Sequence, residues 1–417
     1  MVEQTTNESQ PSIVVWDNLE EWVRGKVQEF IQSLLEEEIT ELLGRQKSER
    51  RQVVDSQPVY RNGHGKARHL TLGCGTVTVY RPRVRGLEQR FESRVLPMFA
   101  RRTIEINKLI PQLYLHGLAL GDFDLALRGL LGEEAPISAG TVARLKKGWQ
   151  VEWEEWKKRP LDGLEVLFMW VDGIYVKAGL EKEKAALLVI VGGLLDGRKV
   201  ILAVDPGYRE STESWSAVLR DLKERGLSCP RLVTGDGNLG IWGALSNIYP
   251  KASEQRCWNH KIVNVLDKLP KKVQPQAKRR LQDIAYAKSQ PEAEEKRDLF
   301  LGWCQKEGYR KAGDTLLRDW QRMVTFYQFP KEHWKHLRTT NVVESPFAAL
   351  RLRTDAAKRY KKVENATVVI WKMLMLAERR FRRLDAPGKL MQVYLGFGVG
   401  EAPEETEIKR EEVLAVA

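Results

Sequence analysis

A run of short apolar segments between residues 164 and 236 constrains the fold of this chain most strongly. Three of these segments are bounded by Asp-containing turns and predict strands in meander order, at residues 164–171, 185–194 and 200–204. An amphipathic helix follows, with Trp215, Val218, Leu219 and Leu222 on one face, and then a fourth strand at residues 232–234. A meander, a crossover helix and a further strand predict an α/β protein with a mixed sheet. A fifth short strand is expected near residues 254–258.

An aspartate stands between two glycines where the fourth predicted strand ends. Residues 231–240 read RLVTGDGNLG, which indicates a strand, a Gly-Asp-Gly turn and the start of a helix. Because its neighbours have no side chains, Asp236 can project from the carboxyl edge of the sheet, where α/β proteins keep their ligand sites. Asp-Gly is also a common turn pair, so a plain tight turn is the alternative.

Two further acids are predicted to join Asp236. Asp172 is predicted to end the first strand, although residues 174–177 can continue it, and Asp172 emerges beside Asp236 if the first and fourth strands are neighbours. A later helix can then bring Glu344 against both. Three carboxylates repel one another at neutral pH, and proteins usually compensate this negative charge with a hard divalent cation such as Mg²⁺. Two such ions can flank an in-line displacement at phosphorus. The alternative is that each acid is a turn or cap residue.

The residues around Glu344 allow two local structures. Asn341 can cap a helix in which Glu344 lies three residues later, as in a capping box. Pro346 is poorly tolerated inside a helix, however, so Ser345 can instead cap a helix that has Pro346 in its first turn. In that case Glu344 lies just before the N-terminus of the helix and not within it.

The balance of charge points to a polyanionic partner, with nucleic acid as the first candidate. The 417 residues include 68 Lys and Arg against 56 Asp and Glu, which gives a net charge of +12. Residues 60–68 read as a basic, glycine-bearing loop, and two short strands follow at residues 70–72 and 76–80. After them come three arginines dense enough to meet phosphates, Arg81, Arg83 and Arg85. A solvated hairpin with basic ends is the alternative.

Three predicted helices, at residues 104–116, 122–131 and 139–158, form a helix-turn-helix-like arrangement. Ser138 can cap the third helix. Three cations lie near the start of that helix, where a recognition helix contacts DNA: Arg144, Lys146 and Lys147. Plain helical packing is the alternative.

Composition argues against several other classes of protein. Four scattered cysteines suggest no disulfide framework and favour a reducing cytoplasm. The first twenty residues have no signal-peptide core, and the longest apolar run is too short to span a bilayer, so no membrane partner is expected. A glycine-rich phosphate loop of the Walker kind does not occur, so no nucleotide cofactor is expected. An N-terminal helix is predicted over residues 16–43, and residues 1–15 and 401–417 are predicted to be loose.

The Cys257-x-x-His260 pair has the spacing of metal ligands. Together with His333-x-x-His336 it could form a zinc site of one Cys and three His.

Several motifs resemble those of Mutator-type transposases of bacterial insertion sequences. They lie in order between about residues 55 and 385, and they include YRNG at 60–63, PRVR at 82–85, LYLHGL at 113–118, WVDGIYVK at 170–177, ESW at 213–215, DLKERGL at 221–227, GDG at 235–237, QRCWNHK at 255–261 and RTTNVVES at 338–345. The resemblance implies a ribonuclease-H-like fold with an all-helical insertion between the second Asp and the Glu. It also implies a DDE active site at Asp172, Asp236 and Glu344 that uses Mg²⁺, for which Mn²⁺ can substitute.

The resemblance implies further roles. It puts Cys257 and His260 near the active site, where His260 would meet DNA close to the cleaved bond. The N-terminal part would bind the terminal inverted repeats of the element. Trp320 would stack on an unpaired base or, as we prefer, belong to the core. Two DNA ends must be joined at once, so a homodimer or larger assembly is expected.

The predicted domains follow from these features. They are an N-terminal helix (1–50), a mainly helical DNA-binding region (51–160), the two parts of a catalytic domain (161–258 and 338–390), a helical insertion (259–337) and a tail (391–417). Two alternative functions are a transposase-derived DNA-binding protein without catalysis and a structure-selective nuclease on the same fold.

Overall fold

The computed structural model describes residues 16–50, 59–118, 120–132, 135, 139–179, 184–207, 209–237 and 239–396. The N-terminal residues 1–15, the predicted Ser138 cap and the acid-rich tail at 401–417 lie outside these described residues. The chain divides into two units, Met1–Leu145 and Lys146–Ala417, which are described separately.

The first unit contains one β-hairpin and several helices, and the last of these helices continues across the boundary into the second unit. The elements are α1 (Leu19–Leu43), β1 (Tyr60–Leu72), β2 (Gly75–Arg85), α2 (Ile104–Leu115), α3 (Leu120–Leu131) and α4 (Ala139–Lys157). The predicted N-terminal helix is confirmed, and it ends at Gly44, whose φ of 62° is a left-handed conformation that glycine adopts easily.

Helix α1 packs against the hairpin. Leu35 and Ile39 of α1 are buried with Leu70, Val77 and Val79 of the two strands. The predicted loop at residues 60–68 is wrong, because this segment is the first part of β1 and pairs antiparallel with β2. Register shifts between residues 61 and 67 make the pairing irregular there. The glycines and charges that suggested a loop fit this irregular, largely exposed end of the hairpin.

The second unit begins with a sheet and its covering helices and then becomes helical. Its first elements are β3 (Val166–Val176), β4 (Ala185–Leu194), β5 (Lys199–Gly207), α5 (Thr212–Glu224), β6 (Leu232–Gly235), α6 (Leu239–Ile248) and β7 (Ser253–Arg256). The later elements are α7 (Trp258–Leu266), α8 (Gln274–Ala285), α9 (Gln290–Lys306), α10 (Arg310–Leu317), α11 (Trp320–Val324), α12 (Trp334–Leu337), α13 (Asn341–Glu344), α14 (Phe347–Ala357), α15 (Val363–Glu378) and α16 (Leu390–Leu395).

The five strands of this unit form a mixed sheet in the order β5-β4-β3-β6-β7. Strands β3, β4 and β5 form the predicted antiparallel meander, and β6 and β7 add in parallel after the crossover helix α5. The predicted mixed α/β architecture is therefore confirmed. Strand β4 is buried along nearly its whole length, which explains its continuous apolar sequence.

Helices α5 and α6 cover one face of the sheet. Trp215 and Leu219 of α5 pack with Val171 and Val233, and Ser211 caps α5 by accepting the Ser214 N–H. Side chains of the opposite face, such as Phe168, meet His333 from the later helical part of the chain. None of the helices among the described residues is long and apolar enough to cross a bilayer.

Candidate active site

Asp172 lies in the middle of the sheet, where β3 runs between β4 and β6. It pairs with Val189 of β4, and only 8% of the residue is exposed. Asp172 does not end its strand: β3 continues to Val176, opposite Ala185, which is the alternative that the sequence of residues 174–177 left open. Pairing with β4 keeps the backbone extended through the Asp172-Gly173 step that resembled a turn.

Asp236 directly follows β6, as predicted. The parallel register pairs Trp170 of β3 with Thr234 of β6, and each acid lies two residues further along the chain. Because side chains alternate along a strand, this register brings Asp172 and Asp236 to neighbouring positions on one face. The next residue, Gly237, has a φ of 92°.

Glu344 is the last residue of the one-turn helix α13. The segment before α13 is fixed to the same sheet face, because Trp170 Nε1 donates to the His336 carbonyl at 2.8 Å and Thr234 Oγ1 donates to the Leu337 carbonyl at 3.1 Å. Glu344 thereby comes close enough to Asp172 for its charge to act on that carboxylate.

The local prediction for this helix needs two corrections. The N-cap of α13 is Thr340 and not Asn341, and the Thr340 hydroxyl donates to Glu344 Oε1. The following helix, α14, has Pro346 as its N-cap in place of Ser345. Glu344 does lie before that proline and not within a long helix.

The electrostatics of Asp172 reflect the three acids together. Burial, followed by the negative charges of Glu344 and Asp236, raises the pKa of Asp172 to about 7. The Gly173 N–H, which donates to Asp172 Oδ1 at 2.8 Å, and the nearby His260 oppose this shift. Another buried carboxylate of the sheet, Asp205, has an ion-pair partner in Lys157. No lysine or arginine of the described chain forms such a pair with Asp172.

A cysteine and a histidine adjoin Glu344. Cys257 Sγ, a nitrogen of His260 and a Glu344 oxygen all lie within 4.8 Å of one another. Cys257 is fully buried, and its sulfur accepts a hydrogen bond from the Thr340 N–H at 3.3 Å and lies 3.2 Å from the Thr340 hydroxyl oxygen. The hydrogen bond with Cys257, reinforced by the charges of Glu344 and Asp172, outweighs desolvation and raises the pKa of His260 to about 9.

The structure does not assemble the zinc site of one Cys and three His. His333 is buried against Phe168, and its Nε2 lies 3.3 Å from the Ala386 carbonyl. His336 Nε2 accepts the Asp385 N–H at 3.3 Å. Among the described residues, neither histidine joins the group of Cys257 and His260. Trp320 is only 6% exposed and packs edge-on against Trp258, so the preferred core assignment is confirmed.

Two residues near the site had no predicted role. The Tyr175 hydroxyl donates to Glu210 Oε1 at 2.9 Å, and burial together with this hydrogen bond raises the pKa of Tyr175. A Cβ on Gly173 would lie 2.3 Å from Glu210 Oε1, so Glu210 covers the face of β3 opposite to Asp172. Tyr175 belongs to the WVDGIYVK motif, but no sequence pattern singles out Glu210.

The predicted DNA-binding residues fall into two sets. Arg81, Arg83 and Arg85 lie within β2 and not after it, and the Arg85 guanidinium is 5.7 Å from the centre of the Tyr60 ring. The other set, Arg144, Lys146 and Lys147, lies on α4. Of these, Arg144 and Lys147 are exposed and Lys146 is half-buried.

The donor set of the three acids suits a hard divalent cation. Carboxylate oxygens are the preferred ligands of Mg²⁺ and Mn²⁺. Burial is the main cause of the raised pKa of Asp172, the charges of Glu344 and Asp236 add to it, and a bound cation would favour the ionised carboxylate. The chemistry of the three acids therefore fits such an ion, although among the described residues their oxygens do not all lie within 4.8 Å of one another.

Comparisons with known proteins agree on one family. The sequence profile described as "Transposase, Mutator family" matches residues 2–383. The transposase for insertion sequence element IS6120 of Mycolicibacterium smegmatis is 40% identical over 291 residues, which cover 70% of this chain and 90% of that protein. The transposase for insertion sequence element IST2 of Acidithiobacillus ferrooxidans is 40% identical over 273 residues, 65% of this chain and 92% of that protein.

A solved structure of another protein aligns with part of the chain. The catalytic core domain of the HTLV-2 integrase, in a trimeric complex with magnesium, has 19% sequence identity and covers 30% of this chain and 88% of its own. Its TM-score of 0.17 is too low to establish a shared fold.

Proposed function

The chain belongs to the Mutator family of transposases, and from this we propose that it binds the inverted-repeat ends of its own insertion sequence and catalyses metal-dependent DNA cleavage and strand transfer. The observation that supports the proposal is the proximity of the acids: the register of β3 and β6 brings Asp172 and Asp236 next to each other, and the charges of Asp236 and Glu344 act on Asp172. A meander followed by two parallel strands also supports a ribonuclease-H-like catalytic domain.

The three acids would hold Mg²⁺ or Mn²⁺. When bound, a divalent ion neutralises phosphate charge and promotes attack by a hydroxyl group at phosphorus. The residues of the chain orient the reactants. Thr340 fixes one oxygen of Glu344, and pairing with β4 and β6 fixes Asp172. His260, protonated at neutral pH because its pKa is raised, offers an N–H donor to a phosphate oxygen near the cleaved bond, beside the buried Cys257.

Binding of DNA would use the basic residues of both units. In the first unit these are Arg81, Arg83, Arg85 and Arg144, and in the second they are Lys146 and Lys147. We further propose the six domain segments derived from the sequence, a homodimer or larger assembly that joins two ends, and a cytoplasmic site of action.

A cleavage assay tests the proposal. Labelled duplexes from the ends that flank the gene would be incubated with the protein, with and without Mg²⁺. We expect nicking at the element boundary and a strand-transfer product, both reduced roughly a hundredfold or more in Asp172→Asn and Asp236→Asn with binding retained. Asp196→Asn is the matched control, because Asp196 is a turn aspartate next to the same sheet that pairs with Arg198.

The outcome separates the alternatives. Binding without nicking under any divalent ion would contradict catalysis and favour a DNA-binding protein derived from a transposase. Nicking without any strand-transfer product would favour a nuclease. Full activity of Asp172→Asn would contradict the assignment of the site.

A further inference from the structure

An open groove runs along the β-hairpin of the first unit. It has a volume of about 630 Å³ and lies between the two strands and the segment that follows them, with Phe91 and Met98 on that side. Five cations line it, Lys66, Arg68, Arg81, Arg83 and Arg90. No carboxylate occurs among the described residues of its lining. A groove of this composition favours an anionic ligand.

Two of the arginines are held in place by backbone carbonyls. Arg68 donates to the Ala100 carbonyl at 2.6 Å, and Arg81 donates to the Phe91 carbonyl at 3.3 Å. These bonds orient the guanidinium groups without neutralising their charge. The other three cations of the groove are exposed. The groove therefore combines two donors that are held by carbonyls with three exposed ones, an arrangement that suits several phosphates in a row.

The positive charge continues from the groove to helix α4. Burial and then the charges of Arg81 and Arg101 lower the pKa of Arg68. Burial and then the charges of Arg144 and Arg101 lower the pKa of Arg102. Arg102 also donates to Thr141 of α4 at 3.4 Å, which connects the segment of Arg101 and Arg102 to the helix. All of these residues belong to the first unit.

We propose that the hairpin groove and the start of α4 form one continuous phosphate-binding surface for duplex DNA, with Arg101 and Arg102 as the bridge between them. The inference rests on the proposed function and goes beyond it, because the sequence suggests two separate basic sites and includes Arg85. Here Arg85 is outside the groove, and Lys66, Arg68 and Arg90 are inside it. A single small anion would leave most of this charge uncompensated, whereas a duplex backbone spans the whole surface.

Binding of end-derived duplex, measured by fluorescence anisotropy between about 50 and 300 mM NaCl, tests the surface. The test variant carries Lys66→Ala, Arg83→Ala and Arg90→Ala, all at exposed positions. The matched control carries Lys26→Ala, Lys47→Ala and Arg94→Ala, which remove the same charge from exposed positions of the same unit. We expect the test variant to bind roughly tenfold or more weakly and its salt slope to fall by about 2–3, because each lost phosphate contact lowers the slope by about 0.9.

Hydroxyl-radical footprinting tests the continuity of the surface. The triple variant of the groove should fail to protect one stretch of the DNA backbone, and Arg144→Ala should fail to protect the stretch next to it. Arg101→Ala should lose protection where the two stretches meet. Protections lost in separate blocks would overturn the continuous surface. Equal binding by the test and control variants would contradict only the claim that the groove binds DNA. Failure of the wild-type protein to bind its own ends would contradict the proposed function as well.

Discussion

Gly237 leaves the space that Arg256 occupies beside Asp236. A Cβ at this position would lie 2.2 Å from Arg256 Nε and 2.7 Å from Arg256 Cδ. Arg256 cannot simply move aside, because it is 8% exposed and forms an ion pair with Asp319. The loop that carries Asp236, the second proposed catalytic aspartate, thus packs against the buried side chain of Arg256.

Gly237→Ala should therefore damage both stability and cleavage. We expect the free energy of unfolding to fall by about 1–3 kcal/mol, because φ is 92° and the new methyl group meets Arg256. Cleavage should fall further than stability explains, because Asp236 must shift with the loop. Urea denaturation and the end-cleavage assay measure the two effects.

Gly308→Ala is the control for this substitution. Gly308 has a similar φ of 78°, but no atom lies within 4 Å of the position of its Cβ. This variant reports backbone strain alone, with an expected cost of about 1 kcal/mol and unchanged cleavage. Equal behaviour of the two variants would show that the contact between Gly237 and Arg256 does not matter.

At the scale of elements, the single turn of α13 depends on its neighbours for its position. A four-residue helix has little stability of its own, because nucleation is costly. Thr340 connects it to the start of α7, since the Thr340 hydroxyl contacts Cys257 Sγ at 3.2 Å as well as Glu344. The Asn259 side chain adds a hydrogen bond of 2.9 Å to the Asn341 side chain. Glu344 is thereby oriented by contacts from outside its own helix.

Thr340→Val should reduce catalysis without loss of DNA binding. Valine keeps the shape of the fully buried threonine but cannot donate to Glu344, so the carboxylate loses its fixed orientation. We expect the cleavage rate to fall about 10–100-fold, as is common when a group that orients a metal ligand is removed. Thr340→Ser retains the hydroxyl and should retain most of the rate. Equal rates for the Val and Ser variants in the Mg²⁺ cleavage assay would contradict this role.

The sequence predicts the elements of the sheet better than their ends. Strand β4 and helix α5 follow from apolar runs and helical spacing, because burial on a sheet dictates both patterns. The continuation of β3 beyond Asp172 and the irregular start of β1 depend on pairing with a neighbouring strand, which no local pattern encodes. The three acids could be proposed from their positions. The contacts that hold them, from Thr340 and Arg256, arise only when distant segments pack.

At the scale of the whole molecule, the chain combines a first unit that carries the hairpin groove with a second unit that is built around the mixed sheet. His336 matters to the second unit, because its carbonyl accepts the Trp170 indole N–H and its ring accepts the Asp385 N–H. Burial, followed by the charge of Lys199, lowers the pKa of His336 from 6.5 to about 4. The folded state therefore keeps this ring neutral at pH values where the unfolded chain binds a proton.

This difference predicts a loss of stability in mild acid. Between about pH 6.5 and pH 4 the unfolded state binds the proton and the folded state does not, so the contribution of His336 to the free energy of unfolding falls as the pH falls. For His336 alone the loss is about 2 kcal/mol at pH 5, relative to pH 7.5. Urea denaturation followed by tryptophan fluorescence at both pH values measures it. His336→Gln should lower this pH dependence by about that amount, whereas His116→Gln, at an exposed position, should keep it in full. An unchanged pH dependence in His336→Gln would mean that other groups, such as the buried His333, account for the acid sensitivity of the fold.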